Sequence, residues 1–217
     1  KKDQQMLGAL PAGFESKRFF IATTVASGEM YAGLQAGEKY VYFKRLDKRL
    51  LIIEPNLNVR STGDSESKAS VKRLFTDRVI VDVPILTLLP KNRPVIDMDA
   101  LLVGQASKFF GSRGGGFNAK LTQIRTAKAF PGNVELAFTA PASNGVLKTL
   151  HYSISLIVPS KTYKPRVADQ RVGYFTTSYS DLGKYTNEQK KIRYINRWHL
   201  EKADPKLKVS PVKNPII

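Results

Sequence analysis

Cysteine is absent from the 217 residues. Disulfide staples, zinc–thiolate sites and thiol nucleophiles are therefore excluded. The absence fits a bacterial protein of the extracytoplasmic space, whether secreted, periplasmic or on the cell surface. Histidine is almost as scarce: His151 and His199 are the two. They form no HExxH helix, and neither has a second histidine at ligand spacing. No cofactor or metal site is expected within this chain. His151 falls in an alternating strand pattern and reads as a satisfied sheet residue. His199 follows Trp198 in a charged stretch and reads as surface or interface. Long apolar runs are missing too. The best candidates, 78–89 and 147–158, are interrupted by polar residues and fall short of the roughly 18 residues that cross a bilayer. Neither an initiator Met nor a signal-peptide pattern opens the chain, which reads as a mature or trimmed product.

Acidic residues are the next shortage. Thirty-five Lys and Arg face 18 Asp and Glu, a formal net charge of +17. The last 57 residues hold 13 basic against 5 acidic side chains, and the first 160 hold 22 against 13. Such a field attracts anions: nucleic acid, cell-envelope polymers, acidic lipid surfaces or an acidic partner domain.

What is present is a globular composition, 42% hydrophobic and 10% aromatic. The dominant period is two. "RFFIATTVAS" (18–27) reads as a strand, and "KYVYFKRL" (39–46) and "RLLIIEP" (49–55) read as a hairpin turning at Asp47-Lys48. Tyr40, Tyr42 and Lys44 share one face there, and Val41 and Phe43 the other. "RVIVDVPIL" (78–86) places Val79, Val81 and Val83 on one side. Residues 119–130, 133–141 and 146–158 read as three further strands, joined by Pro131-Gly132 and Ser143-Asn144-Gly145.

Helical patterns are fewer. Residues 64–77 open on a capping Asp64 or Ser65 and place Val71, Leu74 and Phe75 on one face. Residues 97–111 start at Asp97 or Asp99 and end before Gly111. Residues 187–198 suit helix or strand equally. The expectation is a β-rich α+β fold. Its sheet is mostly antiparallel, a sandwich or partly open barrel, with two or three short helices. Residues 1–160 form a β-rich domain, and 161–217 a basic C-terminal segment.

The motifs are weak. Ser65-x-x-Lys68 has serine–lysine spacing but lacks the companion Ser-Asp-Asn and Lys-Thr-Gly elements, so it reads as chance. "GSRGGGF" (111–117) is neither a P-loop nor a dinucleotide fingerprint, and reads as a flexible connection or a close backbone approach. "DSESK", "DMD" and "EKADP" form no calcium loop. In "KPRVADQRVGYF" (164–175) the aromatics Tyr174 and Phe175 are adjacent. On a strand they would face opposite sides, unlike the paired aromatics of an RNA-binding sheet. Asp169 is a candidate partner for a nearby Arg.

"YKPRVADQRVGYFTTSYSDLG" (163–183) and "RYINRWHLEKADPKLKVSPVKNPI" (193–216) carry a resemblance. They resemble the region upstream of the peptidase domain in large bacterial zinc-dependent, metzincin-like metallopeptidases, whose N-terminal regions are classed as domains of unknown function. The matching positions are Tyr163, Pro165, Arg166, Asp169, Arg171 to Phe175, Arg193, Tyr194, Arg197, Trp198, Leu200 to Lys202, Asp204, Pro205 and Lys213 to Ile216. In such relatives catalysis and the zinc ion belong to the domain that follows, and this chain stops at "NPII" where they run on. The resemblance implies a non-catalytic scaffold or prodomain-like module that packs against a downstream peptidase domain. Arg166, Asp169, Arg171, Arg193, Arg197 and Trp198 are the candidate interface residues. A latency role through Asp169 or Asp204 is the weaker version. Binding of an anionic polymer, nucleic acid or cell-envelope material, is the alternative that charge alone supports.

Overall fold

A computed structural model of the chain describes residues 5–159, 164–171, 175–183 and 189–196. In chain order its strands and α-helices are β1 (Leu7–Ala9), β2 (Arg18–Ser27), β3 (Gln35–Leu46), β4 (Arg49–Glu54), β5 (Val59–Arg60), α1 (Ser65–Leu74), β6 (Arg78–Leu89), β7 (Arg93–Asp97), α2 (Met98–Leu102), α3 (Ala106–Phe110), β8 (Gln123–Phe130), β9 (Asn133–Pro141), β10 (Leu147–Ile157), β11 (Thr176–Leu182) and β12 (Gln189–Ile195). The chain divides into two units, Lys1–Asn56 with Thr76–Pro159, and Leu57–Phe75 with Ser160–Ile217.

In the first unit nine strands pair in the order β1-β7-β6-β4-β3-β2-β10-β9-β8, every neighbour antiparallel. The fold is therefore β-rich and mostly antiparallel, with three short α-helices among the described residues, and the nine-stranded sheet curls into a half-barrel. Alternation explains the inner face. β2 buries Phe19, Ile21, Thr23 and Val25, and β3 buries Val41 and Phe43 while Tyr40 and Tyr42 stay partly exposed. Register shifts near Thr23, Ile52, Ile85, Ile124 and Thr149 interrupt the ladders. Bulges of this kind bend strands and add twist, which an open sheet needs to curl. Tyr152, fully buried, is the centre of the packing. Phe109, Phe110 and Phe138 meet its ring edge-on at centroid distances of 5.6, 5.2 and 6.5 Å. Its hydroxyl donates to the Leu102 carbonyl, which ties α2 to β10. Inside the curl the packing leaves a cavity of about 270 Å³.

Several expectations are corrected. Val79 is not on the inner face with Val81 and Val83 but 51% exposed. Ile52 pairs with Val81 and Ile53 with Val79, so Ile80 is an extra residue that flips the alternation. Residues 97–111 form two helices, not one. Asp97 caps the first by accepting from the Asp99 and Ala100 amides. It ends where Val103 and Gly104 both donate to the Asp99 carbonyl. Residues 119–121 are a 3-10 turn capped by Asn118, and the strand begins at Gln123. Asp64 caps α1 by accepting from the Ser67 amide at 2.9 Å, but α1 has no buried residue and Leu74 is 68% exposed.

The glycine-rich 111–117 stretch is not a loose connection. A Cβ on Gly114 would lie 2.4 Å from the Ala106 carbonyl oxygen, and one on Gly116 2.8 Å from the Ser143 Cβ. Just before them Arg113 pairs with Glu29. Its Nε donates to Oε1 at 2.7 Å, its Nη2 to the same oxygen, and Lys148 Nζ donates to Oε2 at 3.0 Å. The Arg113 hydrogen bond, aided by Lys148 and against the opposing effect of burial, holds the Glu29 carboxyl below the usual range. His151 is satisfied, as the strand pattern implied: its Nε2 lies 2.9 Å from Glu135 Oε2.

In the second unit β11 and β12 form an antiparallel pair, which places 189–195 in a strand rather than a helix. β5 adds to β11 in parallel, Ser180 opposite Val59 and Asp181 opposite Arg60. Asp181, 8% exposed, accepts from the Thr62 amide and hydroxyl, and Ser61 donates to the Leu182 carbonyl at 2.7 Å.

Candidate functional site

Four of the six expected interface residues lie in one neighbourhood. Residues 166–168 run antiparallel beside β12. The Ala168 amide donates to the Arg193 carbonyl at 2.8 Å, the Ile195 amide to the Arg166 carbonyl at 2.9 Å, and Val167 bridges Tyr194. Cross-strand pairing thus brings Arg166 and Arg193 onto one edge. Arg197 and Trp198 lie outside the described residues, as do His199, Tyr174 and Asp204. Phe175 is not a strand residue facing one layer. It precedes β11 with a left-handed φ of 51° and is 69% exposed.

Asp169 turns back on its own chain. Its Oδ1 accepts from the Arg171 amide at 2.9 Å, and both oxygens take the Arg171 guanidinium, Nη2 to Oδ2 at 2.6 Å. Asp is favoured at such turns because its carboxylate reaches the amide two residues on. The Arg171 side-chain hydrogen bonds, with the Arg171 amide and then the Arg193 charge, pull the Asp169 carboxyl below its ordinary value. The same carboxylate raises the Arg171 guanidinium. Lys164, Lys190 and Lys191 are exposed on the same short elements. Six cationic side chains, Lys164, Arg166, Arg171, Lys190, Lys191 and Arg193, are therefore carried on these elements, which makes the edge basic.

A second feature is not readable from spacing. The Arg60 guanidinium carbon sits 4.5 Å above the Tyr179 ring, and Tyr179 stacks on Tyr194 with centroids 5.9 Å apart at 25°. The Tyr194 hydroxyl bond, then burial, raises the Tyr179 hydroxyl above its ordinary pKa. Alternation along β12 puts Tyr194 and Arg193 on opposite faces. The three-residue stack thus backs the sheet that carries the basic edge.

Among the described residues no group of three or more His, Cys, Asp or Glu side chains is placed to hold a metal ion. Ser65 and Lys68 are both exposed on α1. No described helix is long and apolar enough to cross a membrane. Residues 33–203 match the model of a family described as a domain of unknown function (DUF5117). No curated protein and no solved structure matches the chain.

Proposed function

Since the chain belongs to the DUF5117 family, we propose that it is the non-catalytic N-terminal scaffold of a secreted bacterial zinc metallopeptidase, docking on the downstream catalytic domain through its basic edge. The observation that carries this reading is the cluster of exposed Arg166 and Arg171 with partly exposed Arg193, and Asp169 as its acidic counterpart. The resemblance of 163–183 and 193–216 to the region upstream of such peptidase domains supports it. Arg guanidinium groups form two-point bonds with carboxylates, so an acidic face on the partner is the matching chemistry. Charge on a rim of this kind steers encounter and sets register more than it adds affinity. In this reading the zinc ion and the catalytic residues belong to the partner domain, and no residue of this chain ligates metal.

The test mixes the purified chain with the separately produced peptidase domain encoded downstream. Binding that Arg166→Glu with Arg193→Glu abolishes supports the proposal. No binding and no change in peptidase activity defeat it. A second reading rests on the net charge of +17, namely capture of an anionic polymer. It predicts affinity for DNA, RNA or anionic glycans that falls steeply with salt as counterions are released.

A further inference from the structure

We propose that the concave side of the half-barrel is a binding site for the alkyl tail of an amphiphile, a medium-length fatty acyl chain or its equivalent. The site is independent of the basic edge. Its walls come from seven strands and two helices, and every lining side chain is apolar. An occupant therefore finds no hydrogen-bonding side chain inside, and a polar group buried there would be left unpaired. The part of the ligand that enters must be hydrocarbon.

Size narrows the choice. An apolar cavity of about 150 Å³ stays dry and takes benzene, and water occupies about 30 Å³ in the liquid. The cavity of about 270 Å³ holds clearly more than one small ring. Burial is graded from floor to rim. Ile21, Ile52 and Leu102 at the floor are 1%, 0% and 0% exposed, whereas Leu7 at the rim is 55% exposed. A ligand with an apolar tail and a polar head suits that gradient, the head remaining in water. Met6 and Met98, unbranched and adaptable, let the wall follow a flexible chain. The rim strand β1 is held to β7 by three residue pairs, with Gly8 against Met98. So short an edge strand can give way to admit a tail.

The test titrates the full chain with hexan-1-ol and decan-1-ol by calorimetry and follows the melting temperature. One-to-one binding is expected, at least tenfold tighter for decan-1-ol, with a rise in melting temperature. Ile154→Trp and Val134→Trp place bulk into the cavity from partly buried positions. Either variant that keeps the wild-type circular dichroism should lose at least tenfold in decan-1-ol affinity. No binding by the wild-type chain would overturn the proposal. Equal affinity for the two alcohols, or undiminished binding by both folded variants, would overturn it as well.

Discussion

Thr62 and Asp181, 119 residues apart in sequence, share two hydrogen bonds: the Thr62 amide donates to Oδ1 at 2.8 Å and its hydroxyl to Oδ2 at 2.5 Å. The pair closes β5 against β11 at a buried carboxylate. Asp181→Ala leaves two donors without an acceptor and should cost about 1–3 kcal/mol. Urea unfolding followed by tyrosine fluorescence checks this. A midpoint equal to wild type would show that water replaces the carboxylate without loss.

Tyr152→Phe removes one buried hydroxyl and strands the Leu102 carbonyl. The ring contacts remain, so the expected loss is about 1–2 kcal/mol without change of fold. Burial also pushes the Tyr152 hydroxyl well above its ordinary value of 10.0. The folded state then keeps a proton that the unfolded chain releases. This contribution is fully present below about pH 10 and is lost as pH rises beyond it. Wild-type stability should fall more steeply than that of Tyr152→Phe between neutral and strongly alkaline pH.

Glu29 carries the opposite sign. Its carboxyl is held below 4.5 in the folded chain. The stability it contributes is present above the unfolded value and fades as pH drops through the folded one. Glu29→Gln should remove that acid sensitivity. At neutral pH it should destabilise by about 1–3 kcal/mol, because Arg113 and Lys148 stay half-buried with no carboxylate. Melting temperatures at neutral pH and at pH below 4 test both statements.

Gly114→Ala probes the packed glycine stretch. The new methyl would meet the Ala106 carbonyl oxygen at 2.4 Å and the Phe110 Cβ at 2.7 Å. Overpacking against backbone of this kind costs about 1–3 kcal/mol. Gly115→Ala, with its nearest atom at 3.8 Å, is the control and should be near neutral.

Asp169→Ala should leave the melting temperature where it is. The pair with Arg171 lies at the surface, and pairs in water contribute little. Its effect belongs to recognition: one carboxylate fewer makes the edge more positive. Binding to an acidic partner should tighten at low salt and revert to wild type at high salt. Lower stability of the isolated chain would instead assign Asp169 a structural role.

Much of the first unit was readable because its signals are local. Residues 18–25 alternate in burial along β2, 133–141 are an apolar-rich run bounded by turn residues, and Asn144-Gly145 marks the turn between β9 and β10, with Gly145 at φ 81°. Errors fell where a distant partner decides. Ile80 becomes a bulge only because β4 offers Ile52 and Ile53 at that register. Gly114 looks permissive until Ala106 is set against it. The Asp169–Arg171 pair lies two residues apart and was within reach of sequence reasoning. The Arg60–Tyr179 contact depends on a parallel pairing that leaves no spacing to find, and the placing of Arg166 beside Arg193 depends on a bridge between residues 27 positions apart.

The placement of β5 has a temporal consequence. Its partner β11 begins at Thr176, long after Arg60 has been synthesised. At roughly 5–20 residues per second the delay is on the order of ten seconds, longer than most small sheets take to form. The half-barrel strands from β6 to β10 emerge within that interval. Residues 57–75 therefore wait for their partner strand, and the second unit completes only once β11 and β12 have been synthesised. A chain cut after Pro159 would carry a strand that never meets its partner.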